Sequence, residues 1–138
     1  MKNNLTFFKL ITILMSVILA DQLTKFIAFK YLFLKNQFIV INSFLTFTPV
    51  WNDGISFGMF QNLGSSGRFF FTIVAFLISF WLIWYSRKLP KISAIGYILI
   101  AGGAIGNALD RIIHGKVVDF IDVHYLNWHW PTFNIADS

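Results

Sequence analysis

The sequence has no cysteine and no glutamate, and it has few charged residues of any kind. Without cysteine there is no disulfide framework, no thiolate zinc site and no cysteine nucleophile. Without glutamate the H-E-x-x-H type of zinc protease is excluded, because its general base is missing. Charged residues make up 12% of the 138 positions while hydrophobic ones make up 57%. Soluble domains carry about a quarter charged residues, so this chain has too few to solvate a water-facing surface and suits a lipid solvent. The formal net charge of +5 does not mark a nucleic-acid binder, because no basic patch with interleaved aromatics occurs in a soluble context. Lysines and arginines near the ends of apolar runs read as membrane-topology signals. No repeats, linkers or low-complexity tails are visible.

Three apolar runs organise the chain as one integral membrane domain over residues 1–138. They predict an all-α bundle with spans at about 5–29, 69–85 and 92–110, each close to the ~20 residues needed to cross the hydrocarbon core. The first run carries Lys9, Asp21 and Lys25. A cleaved secretory leader ending at Ala20 is its rival reading, but Ile18 is a poor −3 residue and the helical pattern continues past Ala20. A retained helix is the expectation. Arg87, Lys88 and Lys91 around Pro90 mark a tight cytoplasmic turn, with Trp81, Trp84 and Tyr85 as an interfacial belt. Lys2 and Lys9 then fall on the same side, whereas Lys30, Lys35 and Arg68 run against that asymmetry.

At 1.5 Å rise per residue, Asp21 lies roughly 24 Å up the first helix, and Asn107 and Asp110 roughly 22 and 27 Å up the third. Two helices thus bring polar groups to one depth near the outer surface of a core about 30 Å thick. Between the first two spans, about 34–66, the residues predict a small extracytoplasmic β-element. Pro49 is expected to break it, Asp53-Gly54 to offer a hairpin turn, and Ile55 to Leu63 to form an amphipathic piece lying on the membrane.

All six acidic residues are Asp, and four lie in the last third of the chain: Asp110, Asp119, Asp122 and Asp137. Asp21 and Lys25 share a helix face at i and i+4, either as a self-neutralising pair that lets the helix enter the membrane or as a lysine orienting a site carboxylate. Gly103, Asn107, Asp110 or Arg111, and His114 recur at helical spacing as a stripe that turns polar outward. Gly102-x-x-x-Gly106 reads as a helix-packing face. Val117-Val118-Asp119-Phe120-Ile121-Asp122 alternates as a strand. Phe133-Asn134-Ile135-Ala136-Asp137, after Pro131, resembles the start of another helix with Asn134 as N-cap. Two carboxylates held close together can hydrolyse a peptide without metal, sharing one proton. Spacing alone does not show which two converge, and Asp110 and Asp122 stand beside Asp119 and Asp137 as candidates. A metal site built from His114, His124, His129, Asp119 and Asp122 is the competing chemistry. Serine catalysis is weaker, since there is no G-x-S-x-G and neither Ser56 nor Ser66 has a convincing basic partner.

Five motifs stand in order along nearly the whole chain: Asp21-x-x-x-Lys25, Asn52-x-Gly54-x-x-Phe57-Gly58, Gly106-Asn107-x-x-Asp110-Arg111, Val117-Val118-Asp119-Phe120 and Phe133-Asn134-x-Ala136-Asp137. Together they resemble the lipoprotein signal peptidase (signal peptidase II) family. The resemblance implies a membrane aspartyl endopeptidase of the bacterial inner membrane, with its site at the extracytoplasmic face. It implies Asp119 and Asp137 as the catalytic dyad, with Asn107, Arg111 and Asn134 holding substrate and dyad from around it. Asp21, Lys25, Asn52, Gly54 and Asp110 become supporting positions. The implied substrate is a diacylglyceryl-modified prolipoprotein, cut before its lipidated cysteine. No cofactor, metal or nucleic acid is implied, and a monomer in membrane lipid is expected.

The implied fold is four transmembrane helices with a β-cradle and a periplasmic amphipathic helix. Here three spans and the start of a fourth are read, the last Asp standing next to the final residue, Ser138. The expectation is that Asp137 goes unheld and that this form has impaired activity. The alternative from another class is a non-enzymatic transport or assembly subunit using its intramembrane Asp and Lys.

Overall fold

The structure is a computed structural model that describes residues 7–53 and 64–138, with backbone alone at Gly64 and Ser65. Its first helix, α1 (Phe7–Ala28), runs unbroken through Ala20 and Asp21 and continues as a π-turn over Phe29–Phe33. α2 (Gly64–Ser86) and α3 (Lys91–Ile113) follow as an antiparallel pair. The link between them tightens through Lys88 N–H to Tyr85 C=O and Leu89 N–H to Ser86 C=O bonds. Pro90 then opens α3, a position where its missing N–H costs nothing. α3 ends at Ile113 with His114 as its C-cap, and Gly115 supplies the left-handed residue (φ +79°) that turns the chain into the sheet.

Among the described residues three helices are long and apolar enough to cross a membrane, Phe7–Phe33, Ser66–Ser86 and Lys91–Ile113. They overrun the expected spans at both ends where those ends are described. The fourth helix implied by the resemblance is not among them; its expected start forms a 3-10 turn, Ile135–Asp137, capped by Asn134 as the sequence suggested. Leu10 and Leu14 of α1, Leu82 of α2, and Ala94, Ile98 and Ala101 of α3 form a buried seam. Phe8, Leu19, Phe80 and Ile92 are more than two-thirds exposed, which is the ordinary condition of a lipid-facing side chain. Arg87 stacks over the Phe7 ring at 5.2 Å, so the start of α1 and the α2–α3 turn share one end of the bundle.

The opposite end carries an antiparallel sheet of order β1-β2-β3-β4: Ile39–Asn42, Leu45–Asn52, Val117–Tyr125 and Trp128–His129. One sequence expectation is corrected here. Pro49 does not end the strand but sits in β2 where the β2–β3 register shifts between Phe47 and Val50, an irregularity that accommodates a residue without an N–H. A hairpin turn that the sequence reading did not name joins β1 to β2 between Asn42 and Leu45, where the Asn42 carboxamide accepts from Phe44 N–H at 2.8 Å. At the expected turn, Asp53 follows the end of β2, and Gly54 and the amphipathic piece at 55–63 lie outside the described residues. Val118 and Phe120 of β3 pack on Ala28 and Leu32, fixing the sheet to the end of α1.

Candidate active site

The polar stripes of α1 and α3 meet in a buried ion cluster. Lys25 Nζ lies 2.9 Å from Asp21 and 2.8 Å from Asp110, with all three side chains nearly fully buried. Its third contact is Asn107 Oδ1 at 2.8 Å. Close approach of the helices is possible because a Cβ on Gly106 would overlap the Asp21 carboxylate, and one on Gly102 would come within 2.8 Å of Val17. The packing-face reading of these glycines therefore holds, and at Gly106 the same face admits the ion cluster.

The cluster reaches outward through the backbone. Asp110 accepts Val118 N–H at 3.1 Å, setting the start of β3. Asp21 accepts Ala136 N–H at 3.0 Å, setting the last turn. Gly103 lacks the Cβ that would overlap the Ala136 carbonyl oxygen. Sequence reasoning missed Gln22, whose Nε2 donates to Asp110 Oδ1 at 3.1 Å and Asp21 Oδ2 at 3.2 Å. An amide-bearing residue beside Asp21 in an apolar run was the available signal.

Asp119 and Asp137 come together on this platform. β3 carries Asp119 opposite Val50 of β2, and the carboxylate is 1% exposed. Asn134 Nδ2 donates to one of its oxygens at 2.7 Å and Asn52 Nδ2 to the other at 2.9 Å. Asp137 is exposed, and its Oδ1 accepts from Asn107 Nδ2 at 2.9 Å. Asn134 and Asp137 also cap each other, the Asn134 N–H reaching Asp137 Oδ2 at 3.2 Å and the Asp137 N–H reaching Asn134 Oδ1 at 3.3 Å. The expectation that Asp137 goes unheld is thereby corrected: the 3-10 turn, Asn107 and the Asp21–Ala136 bond hold it. Asn134 Nδ2 also donates to Asn107 Oδ1 at 3.1 Å, so Lys25, Asn107, Asn134 and both carboxylates form one hydrogen-bonded chain.

Asn52, Asp119, Asp137 and the Trp130–Phe133 segment line a cavity of about 270 Å³, where a water and a peptide carbonyl can meet both carboxylates. Burial pushes the Asp119 carboxyl from its ordinary 3.8 up to about 6; the Asp137 charge adds to this, while the Asn52 and Asn134 amides oppose it. Arg111 sits one turn beyond Asn107, with Nη1 3.4 Å from the Asn107 carbonyl oxygen. Gly54 lies outside the described residues.

The other candidates lie elsewhere. Asp110 belongs to the ion cluster, and Asp122 takes His129 Nδ1 at 2.9 Å. The five residues of the metal reading do not converge among the described residues. His114 stacks on Phe29 with centroids 5.4 Å apart, His124 bonds to Thr46 at 3.1 Å, and Asp119 is held by two amides.

The model of the family described as signal peptidase (SPase) II matches residues 13–138. The lipoprotein signal peptidase of Polynucleobacter necessarius subsp. necessarius (strain STIR1) is 40% identical over 137 residues, covering 98% of this chain and 83% of the relative. That of Thermodesulfovibrio yellowstonii is 43% identical over 122 residues, covering 88% and 80%. A bacterial membrane enzyme solved by the in meso method at 2.3 Å resolution superposes with a TM-score of 0.80 at 30% identity, covering 99% of this chain and 83% of that one. A second, solved at 1.9 Å, gives 0.77 at 31% identity, with 99% and 88% covered.

Proposed function

The chain belongs to the signal peptidase II family and is a membrane signal peptidase, and from that premise we propose that Asp119 and Asp137 are the aspartyl dyad with which it cuts diacylglyceryl-modified prolipoproteins before the lipidated cysteine. The observation that carries this reading is the joint grip of Asn134 and Asn107 on the two carboxylates at one cavity. The transport or assembly alternative is set aside by the family match.

Like charges held close together share one proton, and their titration belongs to the pair. The proton is better placed on Asp119, the buried member, and the charge on Asp137, the exposed one. Asp137 takes a proton from water as the oxygen attacks the scissile carbonyl carbon, and Asp119 gives its proton to the carbonyl oxygen. The tetrahedral diol collapses with the C–N bond breaking; the leaving amine takes the proton from Asp137, and Asp119 recovers its own from the hydroxyl. Asn107, Arg111 and Asn134 orient substrate and dyad, and Asp21, Lys25, Asn52, Gly54 and Asp110 support them. The site faces the extracytoplasmic leaflet of the bacterial inner membrane, and one copy of the chain suffices.

The test is the purified chain in lipid vesicles with a diacylglyceryl-modified prolipoprotein, its unmodified form, and a chelator. The expected outcome is a product beginning at the lipidated cysteine, no cutting of the unmodified form, and no loss with chelator. Cleavage that stops on chelation, or that ignores the lipid, contradicts the reading.

A further inference from the structure

Between the end of α1 with its π-turn and the sheet lies a second cavity, of about 470 Å³, within the range of ligand sites. Its lining residues are apolar apart from Thr24 and Tyr31, with Ile27, Leu32, Ile41 and Ile121 among them. It shares no residue with the cavity at the dyad. Two cations gather beside Tyr31, one of its lining residues. Lys30 Nζ and Lys35 Nζ lie 5.7 and 5.2 Å from the centroid of the Tyr31 ring, which itself lines the cavity.

The backbone builds this pairing. Residues five apart diverge around an α-helix of 3.6 residues per turn, but the i→i+5 bond from Leu34 N–H to Phe29 C=O at 3.0 Å widens the turn. Asn36, at φ +46°, and Gln37, bonded to the Leu32 and Tyr31 carbonyls at 3.1 and 3.0 Å, then fold the chain back. Both lysines are exposed, and neither has an ion pair among the described residues, although all six Asp residues are described.

We propose that this cavity and lysine pair bind one anionic phospholipid of the leaflet in which the site lies, with the phosphate on Lys30 and Lys35 and an acyl chain against Ile27 and Ile41. Charge selects the occupant. A neutral diacylglyceryl group would fill the cavity and leave two like charges uncompensated, and a free phosphate would leave the apolar wall bare. Basic groups beside an apolar slot at the membrane surface are the general chemistry of lipid headgroup recognition. The proposal rests on the membrane spans and uses no dyad residue, so binding is read without cleavage and its failure leaves the peptidase reading untouched.

The experiment is native mass spectrometry of the detergent-solubilised chain with phosphatidylglycerol, phosphatidylcholine of the same chains, and diacylglycerol, alongside thermal unfolding with inorganic phosphate alone. The wild type is expected to retain phosphatidylglycerol about thirtyfold over phosphatidylcholine, from two lysines near a lipid surface. Lys30→Gln with Lys35→Gln should erase that preference at unchanged unfolding temperature, whereas Lys30→Arg with Lys35→Arg keeps it. Ile41→Trp, on an exposed edge strand, should reduce retention of both phospholipids by filling the slot. Equal retention by the wild type, a preference surviving the double Gln variant, or unchanged retention in Ile41→Trp overturns the proposal. So does diacylglycerol held as well as phosphatidylglycerol, or inorganic phosphate alone stabilising as much as the lipid.

Discussion

Each of the three donors on the Lys25 ammonium has its own acceptor: Asp21, Asp110 and Asn107. Removing the cation strands two buried carboxylates, so Lys25→Met is expected to cost about 3–5 kcal/mol of stability, read by thermal unfolding in detergent. Adding Asp21→Asn and Asp110→Asn to it should recover most of that loss, because no charge is then left uncompensated; a triple variant as unstable as the single one contradicts the assignment. Asp119 gives a pH signature. Its carboxyl is raised from 3.8 to about 6 in the folded chain, chiefly by burial, so between those values the folded state binds more protons than the unfolded one. Stability from this group is full below about pH 4 and lost as pH rises through about 6. Asp119→Asn should flatten that window of the unfolding-temperature curve, and an unchanged slope would sink the burial argument.

At the scale of elements, the glycine face of α3 ties helix packing to the site. Gly103→Ala is expected to push the Ala136 carbonyl and with it Asp137, lowering cleavage strongly at a stability cost of about 1–3 kcal/mol. Ala at Gly96, where a Cβ meets nothing within 4 Å, is the control and should leave both unchanged. The helices were legible in the sequence because a long apolar run has one outcome in lipid, and the depth match of Asp21 with Asn107 and Asp110 followed from rise per residue alone. The sheet was half legible. Alternation marked β3, but Pro49 was read as an end because no sequence pattern shows the neighbouring register shift that shelters it. The convergence of Asp119 and Asp137 came from the motif resemblance, since it depends on β2 pairing β3 across more than sixty residues and on a 3-10 turn anchored by Asp21. Spacing encodes neither. The placement of Asp137 was misjudged for the same reason: its support comes from α1 and α3.

For the whole molecule, the large apolar side chains left exposed on all three helices commit the chain to lipid. Cysteine-free sequence makes topology directly measurable. Lys88→Cys, at the α2–α3 turn, and Leu126→Cys, 78% exposed beyond β3, should label with a membrane-impermeant maleimide from opposite faces of sealed vesicles, Leu126→Cys from the extracytoplasmic one. Labelling of both from one face contradicts the three-span arrangement. The joining of the two ends of the molecule, apolar bundle and polar cap, puts both carboxylates where a membrane-borne substrate can present its backbone. The most direct measurement is cleavage of a diacylglyceryl-modified prolipoprotein by Asp119→Asn and Asp137→Asn, each alone, in membranes where insertion is verified by immunoblot. Each is expected to lose on the order of a thousandfold in rate or more while still inserting; near-normal cleavage by either one would contradict the dyad.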